Sequence, residues 1–114
     1  MRYLAGIESI LGWLYDERRR DEHRPQFEYD PAKSEANLEK HGIDFKDVQE
    51  LWDEDLVTRR TDRNGEVRYL AVGRMTGTHW SVLYTLRGET VRIISARRAT
   101  SIERSAYDRV TNGG

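Results

Sequence analysis

The chain predicts a small α+β domain in which an antiparallel β-meander sheet is packed with helices. Three observations predict it. Helix-start and helix-stop signals crowd residues 30–52, four apolar-alternating runs then follow on short glycine-containing links, and a capping pattern opens a last helix at Thr100. Links that short leave successive strands antiparallel neighbours. The predicted order over residues 27–114 is β-α-α-β-β-β-β-α, with an extra N-terminal amphipathic helix in residues 1–26.

Residues 1–26 read as an appendage. Leu4, Ile7, Leu11 and Leu14 recur at spacings of three and four, which is one apolar stripe on a helix, and Arg18–Arg20 suits the negative end of its dipole. His23 to Gln26 reads as a linker. The apolar run from Tyr3 to Tyr15 is broken by Glu8, is followed by a dense charge run, and shows no small-residue cleavage site. It is therefore expected to be neither a signal peptide nor a membrane span.

Phe27–Tyr29 reads as a short strand. Asp30 then serves as N-cap and Pro31 as first helical residue of a helix that runs to Lys40 and His41 and stops at Gly42. Asp44 caps a second helix, with Ile43 and Val48 placed as a hydrophobic staple and Phe45, Val48, Leu51 and Trp52 as its buried side. Strands are expected at 56–60, 67–75, 79–87 and 90–97, and Asn64-Gly65 is a tight-turn signal. Thr100 and Glu103 form a capping box for the last helix, with Ile102, Ala106 and Tyr107 toward the sheet.

Alternation along the strands places side chains. Trp80, Val82, Tyr84 and Leu86 share one face, as do Arg68, Leu70, Val72 and Arg74. In the last strand Val91, Ile93, Ser95 and Arg97 share a face, opposite Arg92, Ile94, Ala96 and Arg98. Arg97 and Arg98 thus point to opposite faces if the strand runs that far.

Net charge is −1 over 114 residues, and it hides an asymmetry. Residues 27–56 carry three lysines against ten acids, net −7; residues 57–114 carry eleven arginines against five acids, net +6. A local basic face, rather than overall charge, makes the case for an anionic partner such as nucleic acid. The absence of cysteine excludes disulfides, thiol catalysis and the usual structural zinc sites. His23, His41 and His79 lack metal-ligand spacing, so no metal and no cofactor are expected. No strand–glycine–helix phosphate loop and no nucleophile–base pattern is present.

The chemistry concentrates where the last strand meets the last helix. Two guanidiniums there, Arg97 and Arg98, suit a phosphate, which they grip in bidentate fashion. Arginines that merely pair with nearby carboxylates at a solvated strand end explain the same pattern.

Several motifs resemble one family. They are Phe27-Glu-Tyr-Asp-Pro-Ala-Lys33, Asn37-Leu-Glu-Lys-His-Gly42 with Phe45, Arg68-Tyr-Leu-Ala-Val-Gly-Arg74, Val82-Leu-Tyr-Thr85, and Ile93-Ile-Ser-Ala-Arg-Arg-Ala-Thr100 with Glu103, Arg104 and Tyr107. In order and spacing they resemble BrnT, the toxin family of a bacterial type II toxin–antitoxin system, over residues 27 to about 109. Two departures stand out: Tyr29 where the family pattern has Trp, and the segment 1–26, which lies outside it.

The resemblance implies a RelE-like fold, a cytoplasmic protein, and a metal-independent endoribonuclease that arrests translation. It implies neutralisation by BrnA-like ribbon-helix-helix antitoxin, which makes the DNA contacts of a repressor complex, so DNA is met only indirectly and no membrane is involved. Such an enzyme needs a base for the ribose 2′-hydroxyl, cations for the charge-rich transition state and an acid for the leaving oxygen. Candidates are Arg97, Arg98 and Arg74 for phosphate, His41 or Lys40 for a proton, and Tyr84 for stacking or hydrogen bonding. Blander roles stand beside these: Lys40 and His41 suit a helix C-terminus anyway, Tyr84 suits a core, and Glu103 suits its capping box. The alternative of another class is a non-catalytic binding module that acts with a DNA-binding antitoxin as co-repressor.

Overall fold

Four consecutive hairpin-linked strands carry the architecture, as the short links require. In the computed structural model, which describes residues 12–16 and 24–112, the elements are β1 (Leu14–Asp16), β2 (Phe27–Glu28), α1 (Pro31–His41), a 3-10 helix (Asp47–Asp53), β3 (Leu56–Arg60), β4 (Tyr69–Met75), β5 (Thr78–Arg87), β6 (Thr90–Arg98) and α2 (Ser101–Thr111). They form one six-stranded sheet in the order β1-β3-β4-β5-β6-β2. The pairing is antiparallel except at one edge, where β2 runs parallel to β6. The fold is α+β with a mixed sheet, and from Phe27 onward the order of elements is the predicted one.

The helix starts follow the expected chemistry. The Asp30 carboxylate accepts the Ala32 N–H at 2.9 Å, and Gly42 ends α1 at φ 82°. Asp44 accepts the N–H groups of Lys46 and Asp47, but the chain beyond winds into a 3-10 helix rather than an α-helix. α1 buries almost nothing apolar: its buried side chains are Ser34 and Asn37. It docks by hydrogen bonds instead. The Asn37 amide donates to the carbonyls of Ile43 (2.8 Å) and Ala96 (2.9 Å) and accepts the Ala96 N–H at 3.2 Å, so one side chain ties α1 to β6.

Each sheet face has its own core. α1 and the 3-10 helix cover one, over Phe45, Val48, Leu51, Trp52, Ala71, Trp80, Val82, Tyr84, Val91, Ile93 and Ala96. The 3-10 helix comes so near that a Cβ on Gly73 would stand 3.0 Å from Leu56 Cδ2 and 3.2 Å from Leu51 Cδ2. α2 covers part of the other face, over Trp13, Val57, Val72, Ala99, Ala106, Tyr107 and Val110. Ile102, expected toward the sheet, is instead exposed, and Val110, about two turns on, is buried.

Two further expectations are corrected. The predicted N-terminal helix included Leu14, but Leu14–Asp16 is a strand paired with Thr58, Val57 and Leu56 of β3; residues 1–11 and 17–23 lie outside the described residues. Without β1, β3 would present an unpaired edge. The alternating aromatics Trp13 and Tyr15 suit a strand. Trp13 is 1% exposed under α2, and the Tyr15 hydroxyl donates to Asp55 at 2.9 Å.

The second correction concerns β6. Leu83 pairs with Ser95 but Tyr84 pairs with Ile93, so Ile94 is an extra residue, a bulge. The alternation shifts there by one. Ala96 and Arg98 therefore join Val91 and Ile93 on the α1 face, while Ser95 and Arg97 turn toward α2, the reverse of an unbroken strand.

Because Trp13 is sealed in the α2 core, Trp13→Ala is expected to cost about 3–5 kcal/mol. Urea unfolding checks this; a loss near zero would mean that the segment before residue 24 is dispensable to the fold.

Candidate functional site

The junction of β6 and α2 is organised by one buried carboxylate. Glu103, 8% exposed, stands in the first turn of α2. Its Oε1 accepts the Ser81 hydroxyl (2.7 Å), an Arg97 Nη1–H (2.8 Å) and the Thr100 N–H (2.9 Å); its Oε2 accepts an Arg97 Nη2–H at 2.9 Å. The Thr100 hydroxyl in return accepts the Glu103 N–H at 3.1 Å, completing the expected capping box. Burial alone would raise the carboxyl pKa, but Arg97, Ser81 and the Thr100 amide outweigh it and hold it down at about 2. Glu103 in turn raises the pKa of Arg97.

Arg97 is thereby aimed. Its Nη1 also donates to the Arg98 carbonyl at 3.2 Å, so three of the five guanidinium donors are taken and two remain. Its side chain is 40% exposed and lines a pocket of about 210 Å³ with Thr61, Leu70, Ser81, Leu83 and Ser95. This is the part of the α2-side face that α2 leaves open, floored by hydroxyls and two leucines.

The other predicted site residues do not converge there. Arg98 points to the opposite face, its guanidinium 5.7 Å from the Trp80 ring centroid. Lys40 and His41 close α1 on that same face, one turn beyond the Asn37–Ala96 tie. Arg74 shares the α2 side but lines a separate cleft of about 450 Å³ with Glu50, Asp53, Glu54, Thr76 and Tyr107. No ion pair among the described residues includes Arg74 or Arg98. Tyr84 is 8% exposed, stacked on Tyr69 at 5.4 Å and edge-on to Trp52 at 5.5 Å. That ring belongs to the core and has no face for a ligand.

Chemistry separates the two cavities. Three acids around one arginine repel a phosphate from the larger cleft. The smaller pocket presents a guanidinium, neutral hydroxyls and two leucines, with no carboxylate in its lining.

One titratable group escaped the sequence reading. His79 precedes Ser81 by two on β5, so both face α2, and Arg74 stands opposite it in the ladder. Its ring packs edge-on to Tyr107 at 5.1 Å; its buried Nε2 has no hydrogen-bond partner, with Asp108 Oδ1 at 3.5 Å. Burial lowers its pKa, Asp108 acts against that, and Arg74 and Arg104 lower it further. Strand parity was the only sequence signal, because Tyr107 and Asp108 arrive from a distant helix. Among the described residues no three His, Asp or Glu side chains gather as a metal site would, and no helix is long and apolar enough to cross a membrane.

A family model described as "Ribonuclease toxin, BrnT, of type II toxin-antitoxin system" matches residues 29–103. No curated protein matches the chain. The matched stretch contains Arg97 and Glu103 and stops short of Tyr107 and Asp108.

The depressed Glu103 pKa makes a signed prediction. Its stabilisation is complete above the ordinary value of 4.5 and is lost as pH falls toward about 2. The loss over that interval should approach about 3 kcal/mol. Glu103→Gln should flatten this part of the stability curve, read by chemical denaturation at each pH; parallel curves would remove Glu103 from the account.

Proposed function

The chain belongs to the BrnT family of ribonuclease toxins of type II toxin–antitoxin systems, and from that premise we propose that it is an endoribonuclease working in the open pocket on the α2 side of the sheet, with Arg97 as phosphate ligand. One observation carries this choice: Arg97 lines a pocket of matching chemistry while Glu103 fixes it in a two-point grip. An arginine already ordered loses little freedom on binding, and a donor in place before reaction is worth most in the transition state.

The reaction proposed is attack of a ribose 2′-hydroxyl on the adjacent phosphorus. The bond to the 5′-oxygen breaks, and the proton lost by the 2′-hydroxyl is matched by one gained at the leaving oxygen. The products are a 2′,3′-cyclic phosphate and a 5′-hydroxyl. Arg97 offers its two remaining donors to the non-bridging oxygens as charge accumulates, and the Ser95 and Thr61 hydroxyls lie along the same pocket.

Arg98, Lys40 and His41 fall outside this pocket, on the face where α1 packs. They are basic groups on that face and would suit RNA backbone beyond the scissile bond. Arg74, facing Glu50, Asp53 and Glu54, is left out, and so is Tyr84. The partner proposed is a BrnA-like ribbon-helix-helix antitoxin, through which the toxin meets DNA in a repressor complex; the setting proposed is the cytoplasm.

A second reading keeps the partner and discards the chemistry. It is favoured by the Arg97–Glu103 pair, which already satisfies the arginine charge, and makes the protein a co-repressor module.

Single variants distinguish the two arginines and the two readings. Arg97→Lys keeps the charge and loses the fork, and should cut RNA cleavage by about 10²-fold, or ~3 kcal/mol, while Arg98→Ala should leave cleavage within about tenfold. Cleavage of RNA by each purified variant, with melting curves to confirm folding, is the measurement. A wild type that cleaves nothing and still binds its antitoxin favours the co-repressor; greater loss from Arg98→Ala moves the site to the α1 face.

A further inference from the structure

We propose that His79 is a positioning residue whose neutral ring seats α2 on the sheet, and that its protonation unseats α2 and so releases Glu103 and Arg97 from the pocket. The seating is independent of any activity; only its effect on cleavage rests on the ribonuclease reading.

The argument begins with what surrounds the ring. From α2 come the Tyr107 ring at 5.1 Å and Asp108 Oδ1 at 3.5 Å from Nε2; Arg74 comes from β4 and Arg104 from α2. The Asp108 carboxylate is 58% exposed, so water weakens its pull, and its distance exceeds that of a sound hydrogen bond. A proton on His79 thus meets two guanidiniums and one solvated carboxylate. The Nε2 atom, buried and unpartnered, has no other acceptor for a second N–H among the described residues. Burial and the two guanidiniums favour the neutral ring while α2 is seated, and Asp108 opposes them.

The consequence travels along a rigid element. Glu103 lies one turn before Tyr107 on the same side of α2, and both are buried against the sheet. Shifting the helix at Tyr107 therefore pulls on the carboxylate that aims Arg97. β5 repeats the link from below: His79 and Ser81 are two apart, and Ser81 donates to Glu103. The imidazole and the arginine clamp are two ends of one contact between β5 and α2.

The sign follows from the geometry. A free imidazole protonates near 6.5, the seated one only at lower pH, so α2 loses protection as pH falls through 6.5 and levels off below the depressed value. Glu103 stays ionised throughout this range, and His41 lies on the other face.

The test is amide hydrogen exchange at Ala106, Tyr107 and Val110 in the full chain, at about pH 7.5 and about pH 5.5, beside RNA cleavage at both. Protection, corrected for intrinsic exchange, should fall by up to about tenfold per pH unit, the limit for one proton. His79→Leu should flatten that response, and His79→Gln serves as second variant if leucine prevents folding. Asp108→Asn should steepen it. A fall of the same size in wild type and His79 variants overturns the proposal. If protection responds and cleavage does not follow it, the seating stands but its control of Arg97 is wrong. If no RNA is cleaved at either pH while protection responds, the ribonuclease reading fails and the seating of α2 stands.

Discussion

A buried carboxylate holds the junction of β5, β6 and α2 together. Glu103 accepts from β5 through Ser81, from β6 through Arg97 and from the start of its own helix through Thr100. Such a charge is tolerable when it is ion-paired and hydrogen-bonded, and losing a partner would leave it buried without full compensation. The same bonds that make the carboxylate affordable fix the strand–helix angle and the direction of Arg97. Stability and placement are one arrangement, so changes at this junction act on both.

The sheet then separates functions that are adjacent in the chain. Arg97 faces α2 and an open pocket; Arg98 faces Trp80 and the α1 layer. The acids of residues 44–55 neutralise little of the arginine surface near that pocket. Glu50, Asp53 and Glu54 gather instead at the far cleft around Arg74, and Asp53 also takes a two-point contact from Arg24 at 2.7 Å. Acids of the first half thus gather at one cavity and are absent from the lining of the other.

Much of this was legible before the coordinates. Local rules located the helix starts at Asp30 and Thr100, the stop at Gly42 and the four-strand run from Leu56, because caps and short turns are nearest-neighbour chemistry; the parallel seat of Phe27–Glu28 beside β6 was not among them. Faces were less secure. A bulge leaves no mark in an apolar run such as Ile93-Ile94, so the alternation past it was assigned to the wrong sides. Leu14 fitted a helical stripe, but the open edge of β3, more than forty residues on, decides its conformation. The role of Glu103 was half visible: the capping box is local, while Ser81 is reached only through the fold. His79 was passed over for the same reason.

The bulge at Ile94 has a consequence for how such proteins diverge. Beyond it, each residue of β6 owes its side of the sheet to one uncompensated position. Losing or gaining a single uncharged residue between Ile93 and Ala96 would exchange the places of the two arginines without altering net charge. Relatives that carry both arginines in tandem are thus buffered against that slip, since either frame presents a guanidinium to the pocket. The doublet then works as a spare rather than a pair, and the tandem would outlast the register that made one of its members useful.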